Sequence, residues 1–251
     1  MPVLTDAYKF EALYKGINIP KRKTMKKILL ALTMTSICGY SVAQTTATPK
    51  VKIGLKAGVN LTRIAVTGPQ YQDNEKDDAK NITSFQFGAY ADVPLSISFS
   101  IQPGITLNGK GGEIKLSEAG TQVGTPTVTG TVRSEIMYIE VPINAVYRIN
   151  SFYLGAGPYA AVALSGKRKS ALTSTSSGQT ENEERDINFG DKKEEDLKRS
   201  DFGINFLAGY ELKNGFNVGV NYGLGLSNLN HSGGTYNNQN RVASIVLGFA
   251  F

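Results

Sequence analysis

The sequence offers few residues whose type and spacing could do chemistry, and its single histidine comes first. His231 is followed directly by Ser232-Gly233-Gly234. A histidine held beside a serine can activate it for acyl transfer, provided that an acid or a second group orients the pair. A lone histidine next to one serine in a polar stretch is more often part of a solvated loop. We therefore favour the loop and keep an acyl-transfer site as an alternative.

A run of acidic residues is the second candidate for chemistry. Asp73, Glu75, Asp77 and Asp78 could offer oxygen ligands to Ca²⁺, but their spacing misses the EF-hand pattern. A solvated charge run is the better interpretation. No phosphate-binding loop, dinucleotide fingerprint, zinc pattern or nucleophile elbow is present in the sequence. We expect no metal, no cofactor and no enzymatic activity.

A third set of charged residues lies within segments that read as β-strands. Each of these residues shares a strand face with glycines and small polar residues. The set comprises Lys52, Lys56, Asp92, Glu140, Arg148 and Glu211. Unpaired charges in a narrow interior are unfavourable, so we expect opposite charges to pair. This charge cluster predicts either a salt-bridged filling or a polar conduit, and we favour the filling.

The clearest β-strand pattern in the sequence is at 216–227, which reads FNVGVNYGLGLS. Large apolar residues alternate with glycine, asparagine and serine without a break, which is the period of a β-strand. Glycine and asparagine make a poor solvent-facing surface but a good lining for a narrow barrel. The large residues then face outward, and the outside of the barrel is apolar.

Similar alternation recurs in eight segments, joined by connections that alternate in length. Short turns are predicted at 93–94, 150–151 and 213–215, where Asn214-Gly215 indicates a type I′ hairpin. Long loops are predicted at 67–81, 110–131, 166–200 and 229–240, the third of them mobile. This asymmetry is typical of an eight-stranded, antiparallel, up-and-down transmembrane β-barrel, all-β, with long extracellular loops and short periplasmic turns. Both termini would be periplasmic.

The two ends of the chain favour export to an outer membrane. Lys26-Lys27, the apolar residues 28–40 and Ser41-Val42-Ala43 form a Sec signal peptide over residues 25–43. Residues 1–24 show no strand pattern and are interpreted as a leader or a mis-called start. The barrel domain is assigned to residues 50–251. At its end, alternating Ile245, Leu247, Phe249 and Phe251 look like the assembly signal of outer-membrane barrels.

Charge and cysteine content narrow the choice of partners. Residues 1–43 carry seven of the 27 lysines and arginines but only two of the 21 acidic residues, so the remainder is nearly neutral. Nothing in this balance indicates a nucleic-acid partner. The single cysteine, Cys38, lies in the signal peptide, so the exported chain needs no disulfide.

Two stretches carry a resemblance to a known family. Tyr138-Ile139-Glu140-Val141-Pro142 and the segment 152–159, FYLGAGPY, resemble the PorT-like family of outer-membrane β-barrel proteins of Bacteroidota. The start of the sixth strand, Asp201-Phe202-Gly203, adds to the likeness, which covers roughly residues 50–251. The founding member is tied to type IX secretion and gliding, so the resemblance implies an outer-membrane barrel with a secretion-system partner as one expectation.

The prediction from sequence is therefore a non-enzymatic barrel in the outer membrane of a Gram-negative cell. It would act structurally or present its loops to an extracellular or secretion-system protein. Its other partners would be outer-membrane lipid and, during insertion, the barrel assembly machinery. The alternatives are a small passive porin and a lipid A-modifying enzyme that uses His231.

Overall fold

The computed structural model describes residues 50–67, 79–116, 128–174, 177–190, 192, 195–230 and 237–251. The leader, the signal peptide, the acidic run at 73–78 and His231 lie outside these residues. Ten β-strands are present in the described residues: β1 Lys52–Thr67, β2 Ala79–Lys80, β3 Ile82–Pro94, β4 Phe99–Leu116, β5 Val128–Ile149, β6 Phe152–Ser174, β7 Thr180–Asp186, β8 Ser200–Glu211, β9 Phe216–Gly225 and β10 Asn237–Ala250. No helix long and apolar enough to cross a membrane occurs in the described part of the chain.

Eight of the strands form a closed antiparallel ring. The order is β1, β3, β4, β5, β6, β8, β9, β10, and β10 returns to pair with β1 along its whole length, from Gly54↔Ala250 to Thr67↔Asn237. The two additional strands pair at the margin, β2 with β4 and β7 with β6. The predicted eight-stranded barrel is confirmed. Closure gives every strand of the ring a hydrogen-bonded neighbour on both sides, as a hydrocarbon environment requires.

Alternation along each strand separates an apolar outside from a polar inside. On β1, Leu55 and Val59 are exposed, whereas Asn60 and Thr62 are fully buried. The same pattern holds on β10, where Ile245 and Leu247 are each about two-thirds exposed and Ser244 is buried. Exposed aliphatic and aromatic residues thus cover the wall that faces lipid.

The predicted turns at 150–151 and 213–215 lie at the predicted positions, but the type I′ geometry predicted for the second is wrong. Asn150 adopts a φ of 56° between β5 and β6, a conformation that asparagine tolerates. Between β8 and β9, Gly215 alone has a positive φ, of 91°. A type I′ turn needs a positive φ at both central residues, so Asn214-Gly215 does not form one. The chain instead closes a wider loop, in which the Leu212 amide donates to the Phe216 carbonyl at 2.7 Å.

The first turn is displaced from its predicted position. The turn is predicted at 93–94, but residues 95–98 form it and β4 begins at Phe99. The Ser96 hydroxyl accepts a hydrogen bond from the Phe99 amide at 3.1 Å. Serine competes in this way with strand pairing, and its local bond overrides the alternation of apolar residues.

The predicted long loops at 110–131 and 166–200 are also wrong in part. β4 continues to Leu116 and β5 begins at Val128, while β6 continues to Ser174 and forms a hairpin with β7. Charged residues pair across the strands of this region: Lys167 on β6 with Glu184 on β7 at 2.6 Å, and Lys169 on β6 with Glu135 on β5 at 3.2 Å. Such pairs stabilise these strands in water, although the composition of the segment resembles that of a mobile loop. We call β7 and residues 128–137 and 163–174 the extracellular ribbon.

Candidate functional site: the barrel lumen

Four of the predicted lumen charges form one network near the periplasmic end. Arg148 lies at its centre, with Nη2 3.1 Å from Asp92 Oδ2 and Nε 3.2 Å from Glu211 Oε2. Lys52 Nζ reaches the other oxygen of Glu211 at 3.2 Å. The Ser100 hydroxyl donates to Asp92 at 2.6 Å and accepts from Arg148 at 2.7 Å. Two cations and two anions therefore neutralise each other across four strands.

The fifth predicted charge, Glu140, belongs to a second and deeper cluster. Lys110 Nζ lies 2.7 Å from Glu140 Oε2 and 3.1 Å from Asp201 Oδ2. The three side chains are at most 5 % exposed. Asn108 and Asn205 each donate an amide hydrogen to Glu140, at 3.1 and 3.0 Å. The three charged residues are named the central cluster.

Asp201 accepts further hydrogen bonds that hold it in place. Ser227 donates to Oδ1 at 2.7 Å, and Asn240 donates to Oδ2 at 2.9 Å. The Tyr159 hydroxyl donates to Oδ2 at 3.2 Å, and its ring lies beneath the Lys110 ammonium at 4.0 Å from the centroid. With this many partners a buried carboxylate is well solvated by the protein itself.

Sequence reasoning missed both Lys110 and Asp201. Lys110 lies in the stretch NGKGG, where the predicted loop 110–131 begins. Asp201 enters the sequence prediction only through the family resemblance. A lysine flanked by glycines in continuation of an alternating strand was the available signal for Lys110.

Glycines let this part of β4 lie against the inner face of β1. The carbonyls of Gly109 and Gly111 accept hydrogen bonds from Asn60 and Thr62, both at 3.0 Å. At Gly112 a Cβ atom would lie only 2.6 Å from the Ile64 backbone nitrogen. The close approach brings Lys110 from the wall into the lumen, where it meets the central cluster.

The sixth predicted charge, Lys56, has a different environment. In the described part of the chain its amine makes no ion pair and no hydrogen bond. It lines a cavity of about 70 Å³ between the two charge clusters, together with Tyr90, Glu140, Asn144 and Arg148 among others. A space of this size holds a few water molecules. Lys56 also balances the excess negative charge of the central cluster, so the eight charges described sum to zero.

An apolar cluster packs next to the central cluster, on its extracellular side. Its wall residues are Ile136, Tyr138, Tyr159, Ala161 and Ala163; Ile187, Leu197 and Leu229, at most 5 % exposed, reach it from the connections above. Phe189 packs against the same group, and its bridge with Leu197 holds this part of the connection together. The lumen is therefore filled by charge pairs below and by apolar side chains above.

Above the apolar cluster, an ion-pair group ties the ribbon to its connection. Asp196 lies 2.7 Å from Arg185 and 3.3 Å from Arg168, and it accepts the Asn188 amide at 3.0 Å. The hydrogen bond from Arg185 is the main cause that holds the pKa of Asp196 well below its ordinary value. The carboxylate therefore stays charged over the whole physiological range.

The described residues hold no group of three or more histidine, cysteine, aspartate and glutamate side chains placed to bind a metal.

A closed ring with an apolar exterior and a filled, neutral interior defines a small outer-membrane β-barrel. The chain belongs to the family described as outer membrane protein beta-barrel domain, whose profile matches residues 42–230. The predicted location in the outer membrane follows from this family.

Solved structures with similarity to the chain include other outer-membrane barrels. Ail, the attachment invasion locus protein of Yersinia pestis, solved in complex with the heparin analogue sucrose octasulfate, is 15% identical with a TM-score of 0.39, covering 81% of this chain and 100% of its own. Neisserial surface protein A is 9% identical, with a TM-score of 0.38 and the same coverage. The protease OmpT of Escherichia coli is 10% identical, with a TM-score of 0.35, covering 84% of this chain and 100% of its own. Scores this low carry no argument about function, and no curated protein matches the sequence.

Proposed function

We propose that the protein is a non-enzymatic, non-conducting outer-membrane barrel that contacts other proteins through its extracellular ribbon. The central cluster is the observation that carries the first part of this proposal. Lys110, Glu140 and Asp201 join three strands across the lumen and lie beneath an apolar cluster. An ion moving through would have to break buried ion pairs, each of which is strongly held.

The length of the ribbon supports the second part. β6 has 23 residues, which at about 3.3 Å per residue and a tilt of about 40° span roughly 58 Å along the membrane normal. The apolar band of a barrel is only about 25 Å tall, so about 30 Å of ribbon projects beyond it. A paired projection of this size offers a surface for a protein partner. The resemblance to the PorT-like family of Bacteroidota favours a secretion-system component as that partner.

Planar-bilayer recording tests the absence of conduction. Refolded protein should give no resolved single-channel steps, because the central cluster and the apolar cluster block the lumen. A variant with Lys110→Ala, Glu140→Ala and Asp201→Ala removes the central cluster and is the matched comparison. Regular steps from the wild type would refute the sealed lumen and establish the passive porin.

Site-specific photocrosslinking in the native outer membrane tests the ribbon. A photoreactive residue at Asn182, which is exposed on β7, should give discrete crosslinked protein species. The same residue at Lys213, exposed in a turn on the other side of the membrane, is the control. Equal products from both positions, or none from Asn182, would count against a ribbon partner.

The absence of enzymatic activity has its own test. His231→Ala should leave the acylation pattern of lipid A unchanged in cells that express the protein, as measured by mass spectrometry of extracted lipid A. A pattern that depends on His231 would make the lipid-modifying enzyme the correct alternative.

A further inference from the structure

The wall of the barrel changes near the extracellular end of β3 and β4. The two strands pair from Pro94↔Ser100 as far as Gln86↔Asn108. In the described residues the next pair is Lys80↔Glu113, which involves β2. Between these points, residues 81–85 and 109–112 face each other without a regular ladder. The carbonyls of Gly109 and Gly111 accept hydrogen bonds from side chains of β1 instead, as described above.

A groove of about 370 Å³ lies on the wall at this break. This volume is within the range of about 300–1,000 Å³ that is common for small-molecule pockets. The groove has an apolar part and a charged rim. Phe85 and Met137 form the apolar part, and Glu135, Lys167 and Asp186 form the rim. The side chains of Ile82, Lys110 and Ile136, at most 3 % exposed, face the lumen behind it. Gly109 contributes no side chain, which deepens the groove between β3 and β5.

The position of the groove matches the boundary between hydrocarbon and headgroups. Phe85 lies nine residues from Pro94, where β3 ends on the periplasmic side. A tilted strand needs about 9–11 residues to cross the membrane, so Phe85 lies near the outer limit of the hydrocarbon. Its side chain is 60% exposed and faces the lipid. The charged rim belongs to the ribbon and therefore lies at the level of the headgroups.

We propose that this groove binds one acyl chain of a lipid of the outer leaflet, with the polar head of that lipid against the charged rim. The apolar part continues the lipid-facing wall, so the chain enters it from the surrounding bilayer. An acyl chain is long, narrow and flexible, which suits a groove between two strands.

The rim indicates which part of the lipid determines binding. Lys167 is paired with Glu184 at 2.6 Å, and Glu135 is paired with Arg133 at 2.6 Å and with Lys169 at 3.2 Å. Together with Asp186, these side chains carry three positive and three negative charges, so the rim is neutral and attracts no particular headgroup charge. Contact with the acyl chain determines the affinity, and lipids with equal chains should bind equally well.

Two tryptophan variants in the same row of the barrel test the proposal. Thr83 and Ala243 both pair with Leu61, on its two sides, and both are exposed on the outer face. Thr83 lines the groove, whereas Ala243 does not. Thr83→Trp fills the groove, and Ala243→Trp adds the same side chain to the wall outside it. A variant is folded if its unheated sample migrates faster in gel electrophoresis than the same sample after heating.

Native mass spectrometry of protein in detergent, with dimyristoyl phosphatidylglycerol or phosphatidylcholine added, counts the lipids retained. Wild type and Ala243→Trp should retain one lipid of either kind. Thr83→Trp should reduce retention about tenfold, since excluding two methylene groups from an apolar site has an effect of this size. Equal retention by the two variants, no retention by wild type, or retention of only the anionic lipid would overturn the proposal.

Discussion

Among single substitutions in the lumen, we expect the loss of Lys110 from the central cluster to lower the free energy of unfolding most. Lys110→Met removes the only cation that contacts Glu140 and Asp201 among the described residues, and the side chains of these acids are at most 5 % exposed. Removing one partner of a buried pair lowers the free energy of unfolding by about 3–5 kcal/mol, because an uncompensated charge remains inside. Methionine has a similar length, so packing changes little.

Urea unfolding of the refolded protein in detergent micelles, followed by circular dichroism, measures this loss. With a urea slope of about 2 kcal/mol per M, the midpoint should fall by roughly 2 M. Lys52→Met is the control, because Lys52 is 51% exposed in its pair with Glu211. An exposed pair contributes less than about 1 kcal/mol, so this variant should lower the midpoint by less than about 0.5 M.

A triple variant separates the charge from the packing. Lys110→Met combined with Glu140→Gln and Asp201→Asn leaves no buried charge in the central cluster, and it should recover more than half of the lost stability. If Lys110→Met is no more destabilising than Lys52→Met, the reasoning about the central cluster is wrong. Failure of the triple variant to recover stability would assign the loss to packing instead.

Three further predictions concern the close approach of β4 to β1, the base of the ribbon and the end of the chain. Gly112→Ala should lower the free energy of unfolding by about 1–3 kcal/mol in the same urea assay, because the added Cβ atom meets the backbone of β1. Gly223→Ala is the control and should have little effect, because no heavy atom lies nearer than 3.3 Å to its added Cβ atom. Arg185 lowers the pKa of Asp196, so the stability that this carboxylate contributes is fully present above about pH 4 and is lost as the pH falls through the lowered pKa. Hydrogen-exchange protection around Asp196 should therefore stay constant from pH 7 to about 4, and a loss near pH 6 would contradict the assignment. Phe251→Ala should reduce the yield of folded protein in isolated outer membranes, and an unchanged yield would remove this residue from the assembly signal.

Which strand residues face lipid and which face the lumen was predictable from sequence, because a lipid-exposed wall imposes a strict period of two. Leu55 and Val59 had to face lipid once Lys56 was assigned to the interior. The same logic could not find Lys110, because glycines on both sides hide the alternation and only the contact with β1 shows why they are there. The ribbon was missed for a different reason: charged residues such as Lys167 and Glu184 stabilise strands in pairs that composition does not reveal.

Closure of the ring by the first and last strands is the measurement that tests the central claim most directly. In an NMR spectrum of the protein in micelles, the account predicts cross-strand contacts between β1 and β10, among them Asn60 with Ser244 and Gly58 with Val246. Asn60 should also show contacts with Gln86 and Asn108 inside the lumen, to which it is hydrogen-bonded at 3.0 and 2.9 Å. Absence of the β1–β10 contacts in folded protein, or exposure of Asn60 to lipid, would contradict a closed barrel with a polar interior.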